Sequence, residues 1–381
     1  MVAPVSKLPH LETTIFTTMG QLAVKHQAVN LSQGFPNFDP DPYLLELVGK
    51  ALKARHNQYA PMQGVYELRE AIGQKISSLY NAHYDPSTEI VVTAGATQAI
   101  FTAIAAFIKP GDEVIVFKPA YDCYEPAIAL QGGVVVPIAL GTEGTFVDWQ
   151  VVQASITPRT KMIIINSPHN PSGTVFTKQD MLQLEALLED SSILLLSDEV
   201  YEHLVYDGET HESASKYPAL KERALVCASF GKTFHVTGWK IGYIAGPKSL
   251  MEEFNKVHQY NVFCVNHPMQ VALATYLKDE QHYLGLAAFY QEKRDCFMAA
   301  IAPSRFKGTH SQGTYFQVLN YAEITDEPAM DFAKRLIKDY KIASIPMAVF
   351  NLHQKDHKEL RFCFAKTQET LEKAADILNN I

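Results

Sequence analysis

The chain has 381 residues, 47 % hydrophobic and 19 % charged, with a formal net charge of −8 and a pI near 6.0. That composition excludes a disordered chain, and the acidic balance argues against a nucleic-acid or anionic-membrane partner. The length exceeds what one core usually organises, roughly 250–300 residues, so two domains are expected. Five cysteines, at 123, 227, 264, 296 and 363, show no paired spacing. They fit buried thiols in a reducing compartment better than disulfides or zinc, so a soluble, cytoplasmic protein is expected. The first ten residues lack the apolar core of a signal peptide.

In chain order, residues 11–30 carry helical spacing through Ile15, Phe16, Met19, Leu22 and Ala23. A turn follows at Gly34-Phe-Pro36, where glycine permits a close backbone approach. Asp39-Pro-Asp-Pro42 opens a helix through Lys53. Tyr59-Ala-Pro-Met-Gln-Gly64 is a loop, and Leu68, Ile72 and Ile76 mark the next helix. Ile90 to Ile108 is uncharged and nearly long enough to span a membrane, but Thr93, Gly95, Thr97, Gln98 and Thr102 make it strand, turn and buried helix. Short apolar runs follow at 90–93, 113–117, 134–139, 161–166, 193–197, 224–229 and 241–245, several separated by helical patterns. That alternation predicts an α/β fold: a large domain with an open, mostly parallel sheet flanked by helices. After about residue 250 come helices at 251–260, 267–277 and 283–300, strands at 314–319, 341–345 and 360–364, and a last helix, a smaller α+β domain.

Ligands of open α/β sheets bind beyond the strands' carboxyl ends. Gly95-Ala-Thr97 after the first run opens a helix, whose free N–H groups suit an anion. Tyr121 after the second is either a stacking face or a core tyrosine. Asn166-Ser-Pro-His-Asn170-Pro-Ser-Gly173 is a rigid polar loop that can aim Asn170. Asp198 follows an apolar run, and burying it is costly unless it faces a cation. Tyr201 can point the same way if a helical turn begins there. Lys232 follows the strand ending at Ser229, with Lys240 eight residues on. A desolvated lysine there has a lowered pKa, as Schiff-base chemistry needs; the bland alternative is a strand-capping loop lysine. Together these groups fit pyridoxal 5′-phosphate (PLP).

Here the chain resembles the class I/II aminotransferases of PLP fold type I. The resemblance rests on Asn166-Ser-Pro-His-Asn-Pro-Ser-Gly173, Ser197-Asp-Glu-Val-Tyr201, Ser229-Phe-Gly-Lys232, Gly238-Trp-Lys240 and Arg361-Phe-Cys-Phe364. Asn30-Leu-Ser-Gln-Gly-Phe-Pro36, Gln58-Tyr-Ala-Pro61 and Gly313-Thr-Tyr-Phe316 are similar to the subgroup of methionine aminotransferases and kynurenine/glutamine transaminases. The resemblance implies that Lys232 forms the Schiff base and shuttles the substrate proton. It implies that Asp198 pairs with the ring nitrogen, Asn170 and Tyr201 bond the 3′ oxygen, and Tyr121 stacks on the ring. Ala96, Thr97, Ser229 and Lys240 would hold the phosphate, with Tyr59 from a partner subunit of a homodimer. Arg361 would clamp the substrate carboxylate, assisted by Gly34 and Asn170, while Phe16 and Tyr315 line the side-chain pocket. Ala96 departs from the glycine of many relatives.

The implied domains are an arm and part of the small domain at 1–40, the large PLP-binding domain at 41–283 and the small domain at 284–381. The implied reaction moves the amino group of an L-amino acid to a 2-oxo acid. Dicarboxylic members of the family need a second guanidinium, but Val257 to Pro268 holds neither Arg nor Lys, only His258 and His267. Methionine is therefore the expected donor, with aromatic amino acids, histidine, glutamine and kynurenine behind it. The rival enzyme readings are a kynurenine–oxoglutarate transaminase and a cysteine-S-conjugate β-lyase. A ligand-sensing domain of a transcription regulator is the rival outside enzymes. Gly34 lies close to the start for a preceding DNA-binding module, and the net charge has the wrong sign.

Overall fold

Runs of apolar residues bounded by turn formers become strands in the computed structural model, which describes residues 5–141 and 146–381. Residues 1–4 of the expected arm lie outside the described residues. In chain order the strands are β1 (Val29–Asn30), β2 (Ile90–Thr93), β3 (Glu113–Lys118), β4 (Val134–Ala139), β5 (Thr160–Asn166), β6 (Leu194–Asp198), β7 (Ala224–Ser229) and β8 (Gly242–Ala245). Then follow β9 (Phe316–Asn320), β10 (Ile342–Ala343), β11 (Ile345–Pro346) and β12 (Glu359–Cys363). One seven-stranded sheet has the order β2-β8-β7-β6-β5-β3-β4. β8 is antiparallel to both neighbours, and all other pairings in the sheet are parallel. All seven expected runs are strands of this sheet.

Most of these strands are buried on both faces, which is why they read as continuous apolar runs. Ala99, Ile100, Ala103 and Ile104 of helix Ala96–Phe107 pack on one face, against Leu196 and Leu225. Met181, Leu184 and Leu188 of helix Lys178–Leu188 pack on the other, against Ile163 and Leu195. Each such leucine or isoleucine contributes about 1.5–3 kcal/mol by leaving water. Among the described residues, no helix is long and apolar enough to cross a membrane.

The second sheet has the order β11-β12-β9 and is antiparallel. β1 pairs parallel with β10, Val29 against Ile342, so the N-terminal segment is built into the C-terminal third of the chain. Several expected elements are shorter. The first helix is confined to Ile15–His26 by the Thr14 cap and by Gln27 in the left-handed region at φ 53°. The strand expected from 314 starts at Phe316, because Thr314 has φ 64°, outside extended backbone. The strand expected over 341–345 is split, since β10 and β11 pair with different partners. All five cysteines are free, but only Cys227 and Cys363 are buried.

Candidate active site

Nine of the residues singled out from the sequence line one cavity at the strand ends: Ala96, Thr97, Tyr121, Asn170, Asp198, Tyr201, Ser229, Lys232 and Lys240. Thr237 and Asn166 join them. The chain leaves β7 at Ser229 into a single helical turn, Phe230–Thr233, not the loop of the bland alternative. That turn lifts Lys232 over the cavity. Its Nζ donates to the Gly34 carbonyl at 2.8 Å and to the Tyr315 hydroxyl at 3.0 Å. Desolvation lowers its pKa to about 8, with Arg361 and Lys240 adding to the fall and Asp198 opposing it.

Asp198 ends β6 and is buried. Burial raises its pKa to about 6, opposed by the bonds it accepts. These come from the Tyr124 hydroxyl to Oδ2 at 2.5 Å and from Val200 N–H to Oδ1 at 3.3 Å. Tyr124 was not foreseen. Tyr201 reaches the cavity from a hydrogen-bonded turn, Glu202 N–H to Glu199 O.

The polar loop is fixed from within. Asn166 Nδ2 donates to the Asp198 carbonyl at 2.9 Å, and its Oδ1 accepts from Asn170 N–H at 2.8 Å. Asn170 Oδ1 in turn accepts from Arg361 Nη1 at 2.6 Å, which leaves the Asn170 amide hydrogens for a ligand. Arg361 is 1 % exposed, and its Nε has no partner. No salt bridge reaches it among the described residues, while the Phe316 ring centroid lies 3.8 Å from its Cζ, with Phe16 at 5.3 Å and Phe350 at 5.7 Å. A buried guanidinium without an anion is costly, and a bidentate carboxylate would satisfy it. Phe350 was unread, and Phe316 was read only as part of Gly313-Thr-Tyr-Phe316, because a ring beside a guanidinium has no sequence mark distinct from a core residue.

An anion cradle stands at the opposite end. Gly95 has φ 78°, and helix Ala96–Phe107 begins with no side-chain cap. A Cβ on Gly95 would lie 3.4 Å from Lys240 Nζ, so the lysine closes on that helix start. A Cβ on Gly242 would lie 3.1 Å from Ala96 N; the missing side chain makes room for the turn with alanine in it. Gly34 and Tyr315 join the site through Lys232, and Phe16 through Arg361. Tyr59 does not join it: it is 80 % exposed, with its ring edge-on to Phe263 at 5.3 Å.

The open α/β sheet and this set of strand-end groups define a fold type I aminotransferase. The family model described as aminotransferase class I and II matches residues 26–378, and the chain belongs to that family. It is 46 % identical to the methionine aminotransferase of Escherichia coli (strain K12), covering 99 % of this chain and 98 % of that protein. It is 33 % identical to kynurenine–oxoglutarate transaminase 1 of Rattus norvegicus, covering 96 % and 95 %. The crystal structure of YbdL from Escherichia coli, reported with a methionine aminotransferase function, superposes with a TM-score of 0.98 at 46 % identity, over the whole of both chains.

Proposed function

We propose that this aminotransferase works with PLP and takes methionine as its leading amino donor, passing the amino group to a 2-oxo acid. The residues present fit the cofactor. Ser229, Lys240, Thr97 and the Ala96 backbone suit its phosphate, Tyr121 its ring face, and Asn170 and Tyr201 its 3′ oxygen. Asp198, buried and without a cationic partner at hydrogen-bond distance, suits the ring nitrogen. When bound, PLP supplies an electron sink for the substrate Cα. The protein's share is to orient and to move a proton. Arg361 fixes the substrate carboxylate. Lys232, with an amine pKa near 8, would take the proton from Cα and deliver it to C4′ of the cofactor.

The lack of a second usable cation carries the choice of donor. Val257 to Pro268 contains no Arg or Lys. His258 is fully buried, its Nδ1 lies 3.2 Å from Gln98 Nε2, and burial lowers its pKa. The Arg361 end of the site is walled by Phe16 and Phe350. That wall suits a thioether, to which aromatic edges add modest attraction. With Arg361 taken by the α-carboxylate, a distal carboxylate would be desolvated without a cation of its own. The similarity to the Escherichia coli enzyme supports the same donor. The test is kcat/KM over an amino-acid panel with one fixed oxo acid. Methionine should rank first, kynurenine and aromatic donors lower, and aspartate at least about 100-fold below it, a loss set by the unpaired charge. Aspartate or alanine ranking first would refute the pocket argument.

We also read the chain as a homodimer, with domains at 1–40, 41–283 and 284–381. Exposed Tyr59, Tyr260 and Phe263 support the first reading. The five free thiols support a reducing, cytoplasmic setting.

A further inference from the structure

Three distant parts of the chain meet at one amine. Lys232 Nζ lies 2.8 Å from Gly34 O and 3.0 Å from Tyr315 Oη, and Tyr315 Oη lies 2.5 Å from Gly34 O. Gly34 belongs to the segment after β1, Tyr315 immediately precedes β9, and Lys232 follows β7. Tyr315 is fully buried, and its ring stands perpendicular to Tyr201 at 5.2 Å. A Cβ on Gly34 would fall 2.8 Å from Phe316 Cζ, so only glycine brings this carbonyl so close.

We propose that the Tyr315 hydroxyl and the Gly34 carbonyl form a dock for the ε-amine of Lys232 whenever that amine is not bonded to the cofactor, and that Tyr315 is a positioning residue for the proton transfer. The donor inventory supports this. A carbonyl only accepts, so the Tyr315 proton goes to Gly34 O and the phenol oxygen is left to accept from the lysine. Lys232 therefore donates to both. A neutral amine has two N–H bonds and one lone pair. The dock uses both N–H bonds and leaves the lone pair unspent, which is the state a base for the Cα proton requires. An ammonium would carry a third N–H with no acceptor among the described residues. The charged groups around it are Arg361 and Lys240, which disfavour the ammonium, and Asp198, which favours it; Tyr201 and Cys363 complete the surroundings.

The dock rests on the reading of Lys232 as the cofactor lysine, and the two are tested apart. Competitive acetylation of the cofactor-free protein with acetic anhydride, read at Lys232 by mass spectrometry across a pH series, gives the amine's titration. The wild-type midpoint should lie near 8. Tyr315→Phe keeps the ring and removes one acceptor, which the ammonium needs more than the amine does. The midpoint should fall by about 0.5–1 unit, the size of one lost hydrogen bond. Gly34→Ala, which pushes the carbonyl away from Phe316, should move it the same way. In the holoenzyme, Tyr315→Phe should lower kcat about tenfold with KM for methionine changed less than about twofold, the pattern of a lost transition-state contact. Wild-type midpoints in both variants, or a change in KM alone, would overturn the dock. Borohydride reduction of the holoenzyme tests the underlying reading. Label at another lysine removes the role of Lys232, whereas label at Lys232 with an unmoved titration removes the dock alone.

Discussion

Asp198 and Lys232 are displaced in opposite directions by one cause. Desolvation raises the carboxyl to about 6 and lowers the amine to about 8. Both shifts disfavour charge, and both are what a site awaiting charged partners shows. For Asp198 the consequence has a definite sign. Its folded pKa lies above the unfolded value of about 3.9, so the folded protein holds more protons between those values and its stability falls as pH rises through that window. In cofactor-free protein, Asp198→Asn should therefore melt above wild type at neutral pH. The advantage should shrink as pH drops from about 6 to about 4. In the holoenzyme the same change should cost at least about 100-fold in kcat, the scale of one lost preorganised charge. Thermal melts over a pH series and steady-state kinetics check the two halves, and a pH-independent melting difference would refute the first. Asp198 itself was legible, because an acid at the end of an apolar run needs a reason. Tyr124 was not, because a tyrosine inside Tyr121-Asp-Cys-Tyr124 looks the same whether it fills core or orients a carboxylate.

Between elements, the turn that carries Asp198 and Tyr201 is held from behind by helix Tyr66–Tyr80. Lys75 forms a buried ion pair with Glu202. Tyr80 donates to the same carboxylate at 2.5 Å and Tyr243 at 3.2 Å. Burial, the largest single influence, pushes the Glu202 carboxyl up, but Lys75, His203 and the Tyr80 hydroxyl together outweigh it and hold the pKa at about 2. Lys75→Met leaves that carboxylate buried without its cation, which should destabilise the fold by about 3–5 kcal/mol. Adding Glu202→Gln should recover part of the loss. Urea unfolding of both variants checks it, and two independent, additive losses would mean the pair is not coupled. Such a pair was invisible in the sequence, since Lys75 sits in an ordinary amphipathic helix and 127 positions separate the partners. Six of the seven strands were legible because burial on both faces writes a continuous apolar run, and the largely unburied β4 was legible from its β-branched run Val134-Val-Val136. β1 was not, and the single strand expected over 341–345 divides into β10 and β11, because two-residue strands are set by tertiary pairing and carry no period of their own.

At the scale of the whole molecule, the surface around Tyr59 remains unaccounted for by one chain. Tyr59 is 80 % exposed, Tyr260 85 % and Phe263 47 %, and Tyr59 rests edge-on against Phe263. Aromatic rings gathered outside a core are what an interface uses. In the twofold dimer proposed above each patch would meet the partner, and a residue that misses its own cavity would serve the partner's. This gives a prediction that needs both chains. Tyr59→Ala should lower activity about 10- to 100-fold by removing one contact to the phosphate, and Lys232→Ala should abolish it. In a hybrid of the two, one cavity receives both defects and the other neither. Mixed at equal amounts after reversible dissociation, the variants should regain about a quarter of wild-type activity, since half of the dimers are hybrids with one intact site. Activity no greater than the sum of the separate variants, with hybrids verified by mass, would place Tyr59 outside the catalytic unit.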